Sequence, residues 1–350
     1  MTRGLDNVQD ADPSNLDGKV RKMITVIGGS GFIGTRVCQN LADRQVPFEI
    51  VDLKPSGRFP EKTKIADIRD YAALREAISG DKIIHLAAVH RDDVRNRNLY
   101  YQTNVDGTRN VCRVAVENGI ETILFTSTVA VYGFAEPDTG EDGQIDPFND
   151  YGKSKFEAEN MLREWFEEGN GSRKLTIVRP TVVFGEGNRG NVYNLLKQIS
   201  SGRFIMVGSG VNRKSMAYVG NIAAFLEFAL GKGDGYGLYN YVDKPDFDMN
   251  TLVSLVRGTL TGKRHVGPRL PYWLGILVGY LADRVSHLTG KSLPVSEIRV
   301  RKFCASTSFA TNIDQLDGFE APYSLKAGLE RTLQSEFISP DHNREIFFTE

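Results

Sequence analysis

The stretch that decides the fold is "VIGGSGFIG", residues 26–34. It joins an apolar run to a segment with helical periodicity, which predicts a strand, a glycine-rich turn and a helix. The glycines satisfy both GxGxxG (Gly29, Gly31, Gly34) and GxxGxxG (Gly28, Gly31, Gly34). Glycines in this pattern permit a tight turn, let the backbone approach a pyrophosphate, and aim a helix N-terminus at its charge. The turn therefore predicts a dinucleotide site.

The chain on either side of this turn alternates short apolar runs with amphipathic runs. The predicted strands are "MITVI" (23–27), "FEIVD" (48–52), "TKIAD" (63–67), "KIIHLAA" (82–88), "TILFTS" (122–127) and "LTIVRP" (175–180). This alternation predicts an α/β fold with a Rossmann-like, doubly wound parallel sheet. Sheet signals become sparse after residue 180, which predicts a smaller C-terminal substrate-binding lobe over the carboxyl edge of the sheet.

Two aspartates strengthen the prediction of a dinucleotide site. Asp52 closes the second strand, about 20 residues after the glycine turn, where a carboxylate bonds the ribose 2′-hydroxyl. Such a carboxylate repels a 2′-phosphate, so NAD is favoured over NADP, although Lys54 lies nearby. Asp67 closes the third strand, where it would reach an adenine edge. We therefore divide the chain into a flexible lead-in (1–22), an NAD-binding domain (23–180), a mostly substrate-binding lobe that returns partly to the sheet (181–338), and a tail (339–350).

Composition excludes several classes of function. Apolar residues make up 41% of the 350 residues, charged residues make up 25%, and the formal net charge is −1, which gives no general attraction to nucleic acid. Three widely spaced cysteines form no CxxC, and the five histidines form no HxxxH or HExxH, so we expect no metal site. The segment before residue 23 has no apolar core, so we expect neither a signal peptide nor a membrane span there.

The polar residues that follow the fifth predicted strand supply the chemistry. Ser127 and Thr128 lie at the carboxyl end of that strand, and Tyr151 and Lys155 begin the next helix four residues apart, hence on one face. Alone, a tyrosine and a lysine at this spacing could be an ordinary surface pair. After a dinucleotide turn they indicate a proton-transfer device, because a nearby ammonium favours the phenolate.

With these motifs in order, the chain resembles the extended short-chain dehydrogenase/reductase family, in its nucleotide-sugar epimerase/dehydratase group. The motifs that carry the resemblance are "GGSGFIG", "HLAA", "TNVDGTRN", "FTSTVAVYG", "YGKSK" and "IVRPTVVFG". The resemblance implies that Tyr151 is the general acid/base, that Lys155 bonds the nicotinamide ribose, and that Thr128 and Ser127 position the substrate. It implies cofactor contacts from Gly28, Gly31, Phe32, Ile33, Gly34, Asp52, Asp67, Ile68, Leu86, Ala87, Ala88, Asn104, Tyr151 and Lys155.

Longer stretches are similar to one subgroup, the 4-epimerases that interconvert GlcNAc and GalNAc on undecaprenyl pyrophosphate, through a transient 4-keto sugar, in bacterial O-antigen synthesis. These stretches are "HRDDV", "NRGNVYNLLKQI", "KSMAYVGNI", "YNYVDKPD" and "RKFCA". The chain departs from UDP-sugar epimerases at Val182, at Lys214 and at Gly220-Asn221, and we find no "RxGD" segment. Candidate substrate contacts are His90, Arg189, Asn191 and Lys214, with Arg213 beside the last.

The apolar stretch "LPYWLGILVGYLA" (270–282) is too short to span a bilayer. By itself it predicts a buried helix. A lipid-linked substrate favours instead a helix lying on the membrane, with basic residues at Arg284 and Lys291. The resemblance implies a homodimer and a location in the cytoplasm, peripheral on the inner membrane.

Three other functions remain open from the sequence. The first is the same epimerisation on a UDP-linked sugar. The second is net oxidoreduction of a sugar or a 3β-hydroxysteroid. The third is NAD sensing without catalysis. The presence of Thr128, Tyr151 and Lys155 together argues against it, because a sensor has no need of all three.

Overall fold

The computed structural model describes residues 23–91, 94–232, 235–289, 296–341 and 343–349. The predicted lead-in, residues 1–22, and Lys291 lie outside these residues. Seven parallel strands of the described chain form the central sheet, in the order β3-β2-β1-β4-β5-β6-β11. These strands are β1 (Ile24–Ile27), β2 (Phe48–Asp52), β3 (Thr63–Ile65), β4 (Lys82–His85), β5 (Thr122–Thr126), β6 (Lys174–Pro180) and β11 (Tyr236–Tyr241). The predicted α/β fold with a doubly wound sheet is confirmed.

Helices cover both faces of this sheet. In chain order, the helices of the described residues are α1 (Phe32–Asp43), α2 (Tyr71–Ala77), α3 (Asn98–Tyr100), α4 (Gly107–Glu117), α5 (Asp150–Glu167), α6 (Asn191–Ser200), α7 (Val219–Gly231), α8 (Met249–Thr261), α9 (Tyr272–Thr289), α10 (Glu297–Cys304) and α11 (Leu325–Leu333). One face packs against α1 and α7, and the other against α2, α4 and α5. Successive strand residues therefore serve opposite cores: Val26 faces α1 and α7, and Ile27 faces the other layer.

The order of the strands creates the crevice in which the site lies. The chain proceeds from β1 to β2 and β3 on one side, then crosses to β4 on the other side of β1. Ligands of open α/β sheets bind at the carboxyl ends of the strands where the order reverses. Here that point lies between β1 and β4, next to the glycine turn.

Residues after β6 build a second core, formed largely by α6, α8 and α11. Short strand pairs frame it, and β11 returns to the sheet beside β6. The short strands are β7 (Val182–Phe184), β8 (Met206–Val207), β9 (Arg213–Lys214), β10 (Met216–Tyr218), β12 (Phe247–Asp248) and β13 (Arg269–Leu270). This part of the chain extends over the carboxyl edge of the sheet while remaining joined to it.

The apolar stretch at 270–282 forms most of α9, but the expectation of a buried helix is wrong. Only Gly275 and Gly279 of α9 are buried: Gly275 packs against Val207 of β8 and Val300 of α10, and Gly279 packs against the start of α10. Trp273 is 67% exposed and Leu281 is 53% exposed. Nowhere in the described part of the chain does a helix have the length and apolar content needed to cross a membrane.

Candidate active site

The glycine turn lies against the end of β4. Gly28 has φ +83°, and a Cβ there would lie 2.6 Å from the Ala87 backbone nitrogen. A Cβ on Gly34 would lie 2.4 Å from the Gly28 carbonyl oxygen, so both positions require glycine. At Gly31 the space is open apart from that same oxygen, at 3.3 Å. No side chain of the described residues caps α1, which begins at Phe32, so its first N–H groups remain available to an anion.

The two aspartates predicted to bind the cofactor lie at the same edge. Asp52 accepts hydrogen bonds from the backbone of Ser30 (3.0 Å) and Lys54 (3.4 Å), which ties the glycine turn to the end of β2. Asp67 accepts from the Arg69 Nε at 2.9 and 3.0 Å. The guanidinium of Arg69 holds the pKa of Asp67 below its usual value. The Asp67 carboxylate is therefore ionised near neutral pH and can accept a hydrogen bond from a ligand.

Asn104 connects the loop after β4 to the helix that carries Tyr151. Its Oδ1 accepts from the Val89 backbone (2.8 Å), and its Nδ2 donates to the Val89 carbonyl (3.0 Å) and to the Ser154 hydroxyl (2.9 Å). These bonds use the amide's oxygen and both of its N–H groups. The side chain thus holds Val89 in place, directly after Ala87 and Ala88, and the Ala87 backbone borders the glycine turn.

Ser127 and Thr128 leave β5 and enter the crevice. Ser127 is 3% exposed, and its Oγ has no hydrogen-bond partner among the described residues. Thr128 Oγ1 accepts from the Ala130 backbone at 3.1 Å and begins the 3₁₀ turn Val129–Tyr132. The Thr128 hydroxyl hydrogen remains to be donated. Both hydroxyls thus have hydrogen-bonding capacity for a ligand.

Tyr151 and Lys155 occupy the first turns of α5. Asn149 caps this helix by accepting from the Gly152 N–H at 2.9 Å, which fixes where the helix begins. Lys155 is 1% exposed, and burial lowers the pKa of its ammonium to about 7. The negative charge of Glu159 has the opposite, smaller effect and raises this pKa. Its Nζ lies 3.9 Å from the centre of the Phe125 ring, a cation–π contact that favours the charged form.

A cavity of about 380 Å³ adjoins Tyr151. Its lining residues are Val94, Arg97, Tyr100, Phe148, Asn149, Asp150, Tyr151, Lys153 and Lys302. Arg97 pairs with Asp150 at 3.5 Å, and Phe148 stacks on the exposed ring of Phe134 at 4.6 Å between centroids. Cationic side chains and an aromatic edge therefore surround the approach to the phenol.

Comparisons with known proteins agree with this geometry. The model of the NAD dependent epimerase/dehydratase family matches residues 24–241. The chain is 50% identical, over 93% of its length and 99% of the relative's, to the N-acetyl-alpha-D-glucosaminyl-diphospho-ditrans,octacis-undecaprenol 4-epimerase of Escherichia coli O157:H7. The solved UDP-N-acetylglucosamine 4-epimerase of Bacillus cereus superposes with a TM-score of 0.69 at 16% identity, over 89% of this chain and 98% of that one. A Thermus thermophilus UDP-glucose 4-epimerase solved with NAD superposes with a TM-score of 0.64 at 19% identity, over 89% and 98%.

The chain belongs to the NAD-dependent epimerase/dehydratase family. It is an enzyme, and its cofactor is NAD. The residues present suit that cofactor: the turn at Gly28 and Gly34 excludes side chains, Asp52 offers a carboxylate, and the buried Ser127 hydroxyl has no partner among the described residues. Within the ranges that the structure describes, no cluster of histidine, cysteine and acidic residues could hold a metal ion.

The predicted substrate contacts of this epimerase-family enzyme lie in several places. Arg189 pairs with the buried Glu336 at 2.8 Å and covers the Tyr193 ring. Lys214 donates to the Lys302 carbonyl at 2.9 Å, and burial lowers the pKa of its ammonium to about 8.

The other predicted contacts differ in how near they come to this cavity. His90 is exposed in the loop after β4, and Asn191 begins α6. Arg213 is exposed on β9. Lys214, through its bond to the Lys302 carbonyl, contacts a residue that lines the cavity next to Tyr151.

Sequence reasoning missed the cations that do line this cavity: Arg97, Lys153 and Lys302. Lys153 could have been predicted, because it lies in the "YGKSK" motif two residues after Tyr151. Arg97 and Lys302 come from distant segments, and no spacing along the chain connects them to α5.

Proposed function

We propose that the protein is an NAD-dependent 4-epimerase that interconverts GlcNAc and GalNAc linked through pyrophosphate to undecaprenol, for the synthesis of O-antigen or a related surface polysaccharide. The observation that carries this proposal is the 50% identity, across 93% of the chain, to a relative of that name. The arrangement of Thr128, Tyr151 and Lys155 at the cofactor crevice supports it.

In this proposal Tyr151 takes the proton from the sugar O4 and later returns it. A free phenol has a pKa of about 10, and the Lys155 ammonium one helical turn away favours the phenolate. The Thr128 hydroxyl donates a hydrogen bond to the reacting oxygen, and Ser127 helps to orient the ring. Bound NAD supplies the capacity to accept and return the C4 hydride, so the reaction has no net redox change.

The cations around the cavity suit the pyrophosphate of such a substrate. Arg97, Lys153 and Lys302 come from three different segments and surround one space. The half-buried Lys214 donates a hydrogen bond from its ammonium to the carbonyl of Lys302 near the C-terminal end of α10, where a positive charge is favourable. Arg189 is less suitable, because it does not line this cavity and its ion pair with the buried Glu336 is close, at 2.8 Å, whereas Arg97 lies 3.5 Å from Asp150.

We propose that α9 rests on the membrane surface and makes the enzyme a peripheral protein of the cytoplasmic face. The occupant of its exposed apolar face is the lipid bilayer, in which the undecaprenyl chain of the substrate resides. Trp273, Leu277 and Leu281 are spaced to form one stripe, and aromatic side chains favour the interfacial region. The opposite face of α9 packs on α10, which carries Lys302, so a single helix separates the proposed membrane contact from the catalytic cavity. Co-sedimentation with lipid vesicles measures the contact.

We propose a homodimer through α4 and α5, as the family resemblance implies. These two helices pack side by side on one face of the sheet. Light scattering of the purified enzyme should give twice the chain mass of 38.9 kDa. A monomer at micromolar concentration would contradict this arrangement.

The substrate proposal is tested by incubating the purified holoenzyme, without added NADH, with GlcNAc-pyrophosphoryl-undecaprenol and separately with UDP-GlcNAc. We expect GalNAc from the lipid-linked sugar. GalNAc from UDP-GlcNAc alone would make the enzyme a nucleotide-sugar epimerase. A requirement for stoichiometric NADH would indicate a reductase. An absence of turnover with both substrates would favour the NAD-sensing function.

The role of Tyr151 is tested in the same assay with Tyr151→Phe. Loss of the proton-transfer group should lower turnover about 10²–10⁴-fold. NAD content should stay unchanged, because the glycine turn and Asp52 are intact. Tyr236→Phe, at a tyrosine that is 42% exposed on β11, is the matched control and should keep full turnover. Full turnover by Tyr151→Phe would refute the mechanism.

A further inference from the structure

Residues 344–349, here called the closing segment, contain one isolated parallel β-bridge, between Phe347 and Asn188. Side chains alternate along it: Glu345, Phe347 and Thr349 are half-buried against the molecule, whereas Ile346 and Phe348 are 45% and 66% exposed. This period of two is that of a β-strand with one face packed. The segment therefore has a defined inner face.

One side of the closing segment is bonded to the loop between β7 and α6. The Phe347 N–H donates to the Gly187 carbonyl (2.9 Å), and the Arg189 N–H donates to the Phe347 carbonyl (2.8 Å). The Thr349 hydroxyl donates to the Asn188 side-chain oxygen at 3.3 Å. These bonds fasten the segment to that loop at the Phe347–Asn188 bridge.

The other side reaches the segments that bear the cofactor motif. The Phe347 ring lies 5.8 Å from the ring of Phe32, the first residue of α1 in the glycine turn. A Cβ on Gly57, five residues after Asp52, would lie 2.7 Å from the Glu345 carboxylate. The closing segment thus connects the loop after β2, the glycine turn and the loop after β7, all at the carboxyl edge of the sheet.

We propose that the closing segment is part of the NAD site: it lies across the dinucleotide crevice and retains the cofactor between turnovers. Phe347 is the residue that positions it, because Phe347 makes both backbone bonds to the loop and the ring contact to Phe32. The proposal rests on the NAD cofactor of the family and is independent of which sugar is epimerised. A reaction without net redox change has no need to release NAD, so a slow exit is compatible with turnover.

The contacts of the closing segment are few and individually weak, so it can open without unfolding the domain. Two backbone hydrogen bonds, the Thr349 side-chain bond, a long Arg344–Glu336 ion pair at 3.9 Å and one aromatic contact oppose its opening. NAD that leaves past this segment would escape only during openings, at a rate scaled by the open fraction. Weakening the inner face should accelerate cofactor exchange.

The test measures exchange of bound NAD in the full-length holoenzyme, without any sugar. Enzyme loaded with radiolabelled NAD is mixed with excess unlabelled NAD, and the label retained is followed by rapid gel filtration. Phe347→Ala and deletion of residues 343–350 should each release label at least tenfold faster than the natural sequence. Phe348→Ala is the matched control: it removes a neighbouring aromatic ring from the outer face and should change the rate less than twofold.

Melting temperatures in saturating NAD show whether each variant is folded. Exchange in Phe347→Ala that equals exchange in Phe348→Ala would overturn the proposal, whatever the deletion does. Because no sugar enters the measurement, this result stands apart from the substrate assays, whose failure would leave the closing segment unaffected.

Discussion

His85, at the carboxyl end of β4, is a buried histidine that remains neutral. It is fully buried, and its Nε2 lies 3.1 Å from the Thr108 hydroxyl. That hydroxyl donates its own hydrogen to the Asn104 carbonyl, so the histidine must donate from Nε2. Burial, together with the smaller effect of the nearby charge of Lys155, lowers the pKa of His85 to about 3.

This neutral histidine predicts a loss of stability in mild acid. The unfolded chain takes up a proton near pH 6.5, whereas the folded chain resists protonation until about pH 3. Stability from His85 is thus present above pH 6.5 and is lost as the pH falls toward 3. Between pH 7 and pH 5 the loss is about 2 kcal/mol, measurable by urea unfolding of the holoenzyme.

A variant and a control separate this effect from general acid denaturation. His85→Gln keeps a donor for Thr108 but cannot titrate. Between pH 7 and pH 5, the free energy of unfolding of this variant should therefore fall by about 2 kcal/mol less than that of the natural sequence. His287→Gln, at an exposed histidine on α9, should behave like the natural sequence. Equal pH dependence in His85→Gln and the natural sequence would show that His85 does not cause the loss.

Among single residues, the sequence predicted those positions that are set by residues close by in the chain. Gly28, Gly34 and Asp52 lie where their spacing places them, because a strand–turn–helix is a local structure. The partners of Arg189 and Lys214 were not predictable. Glu336 and Lys302 lie 147 and 88 residues further along the chain, and no local pattern encodes such contacts.

At the scale of elements, a buried ion pair holds the catalytic helix on the sheet. Arg179 of β6 donates to the Glu159 carboxylate of α5 at 2.8 and 2.6 Å, and both side chains are buried. Glu159 stands one turn after Lys155 and also pairs with Arg163 at 2.7 Å. A further Arg179 nitrogen donates to the Tyr132 hydroxyl at 2.8 Å. The pair therefore positions α5 relative to the turn that begins at Thr128.

Removing one charge of this pair should be costly. In Glu159→Gln the guanidinium of Arg179 stays buried without a counterion, which typically destabilises a protein by about 3–5 kcal/mol. We expect a lower urea midpoint for this variant. The double variant Glu159→Leu/Arg179→Met buries no charge and should recover part of the loss. A midpoint unchanged in Glu159→Gln would mean that the pair adds nothing to stability.

The bounds of several strands could be predicted from the sequence, whereas long-range strand pairing and the burial of α9 could not. β1, β2 and β5 were predicted within one residue, since each is a short apolar run bounded by turns. The return of β11 to the sheet was expected only in general, because its pairing with β6 is a long-range choice. The burial of α9 was predicted wrongly, since an apolar pattern does not reveal whether a partner surface is available.

At the scale of the whole molecule, our proposals place the cofactor and the substrate on different sides of the crevice. The closing segment that we propose lies over the glycine turn, next to the loops after β2 and β7. The cavity with Tyr151 opens instead beside α10, which α9 supports. Such a separation would let lipid-linked sugars enter and leave while NAD stays in place.

The orientation that we propose on the membrane predicts how α9 variants behave. Trp273→Asp/Leu277→Asp places two charges on the exposed stripe, and burying each natural side chain is worth about 1.5–3 kcal/mol. Co-sedimentation with vesicles containing anionic phospholipid should therefore fall at least tenfold. Turnover of a water-soluble analogue with a short prenyl chain should be unchanged, because Tyr151 and its cavity are intact. Ile65→Asp, at a side chain 58% exposed on the edge strand β3, is the control and should sediment like the natural sequence. Undiminished sedimentation of the α9 variant would place the membrane contact elsewhere on the molecule.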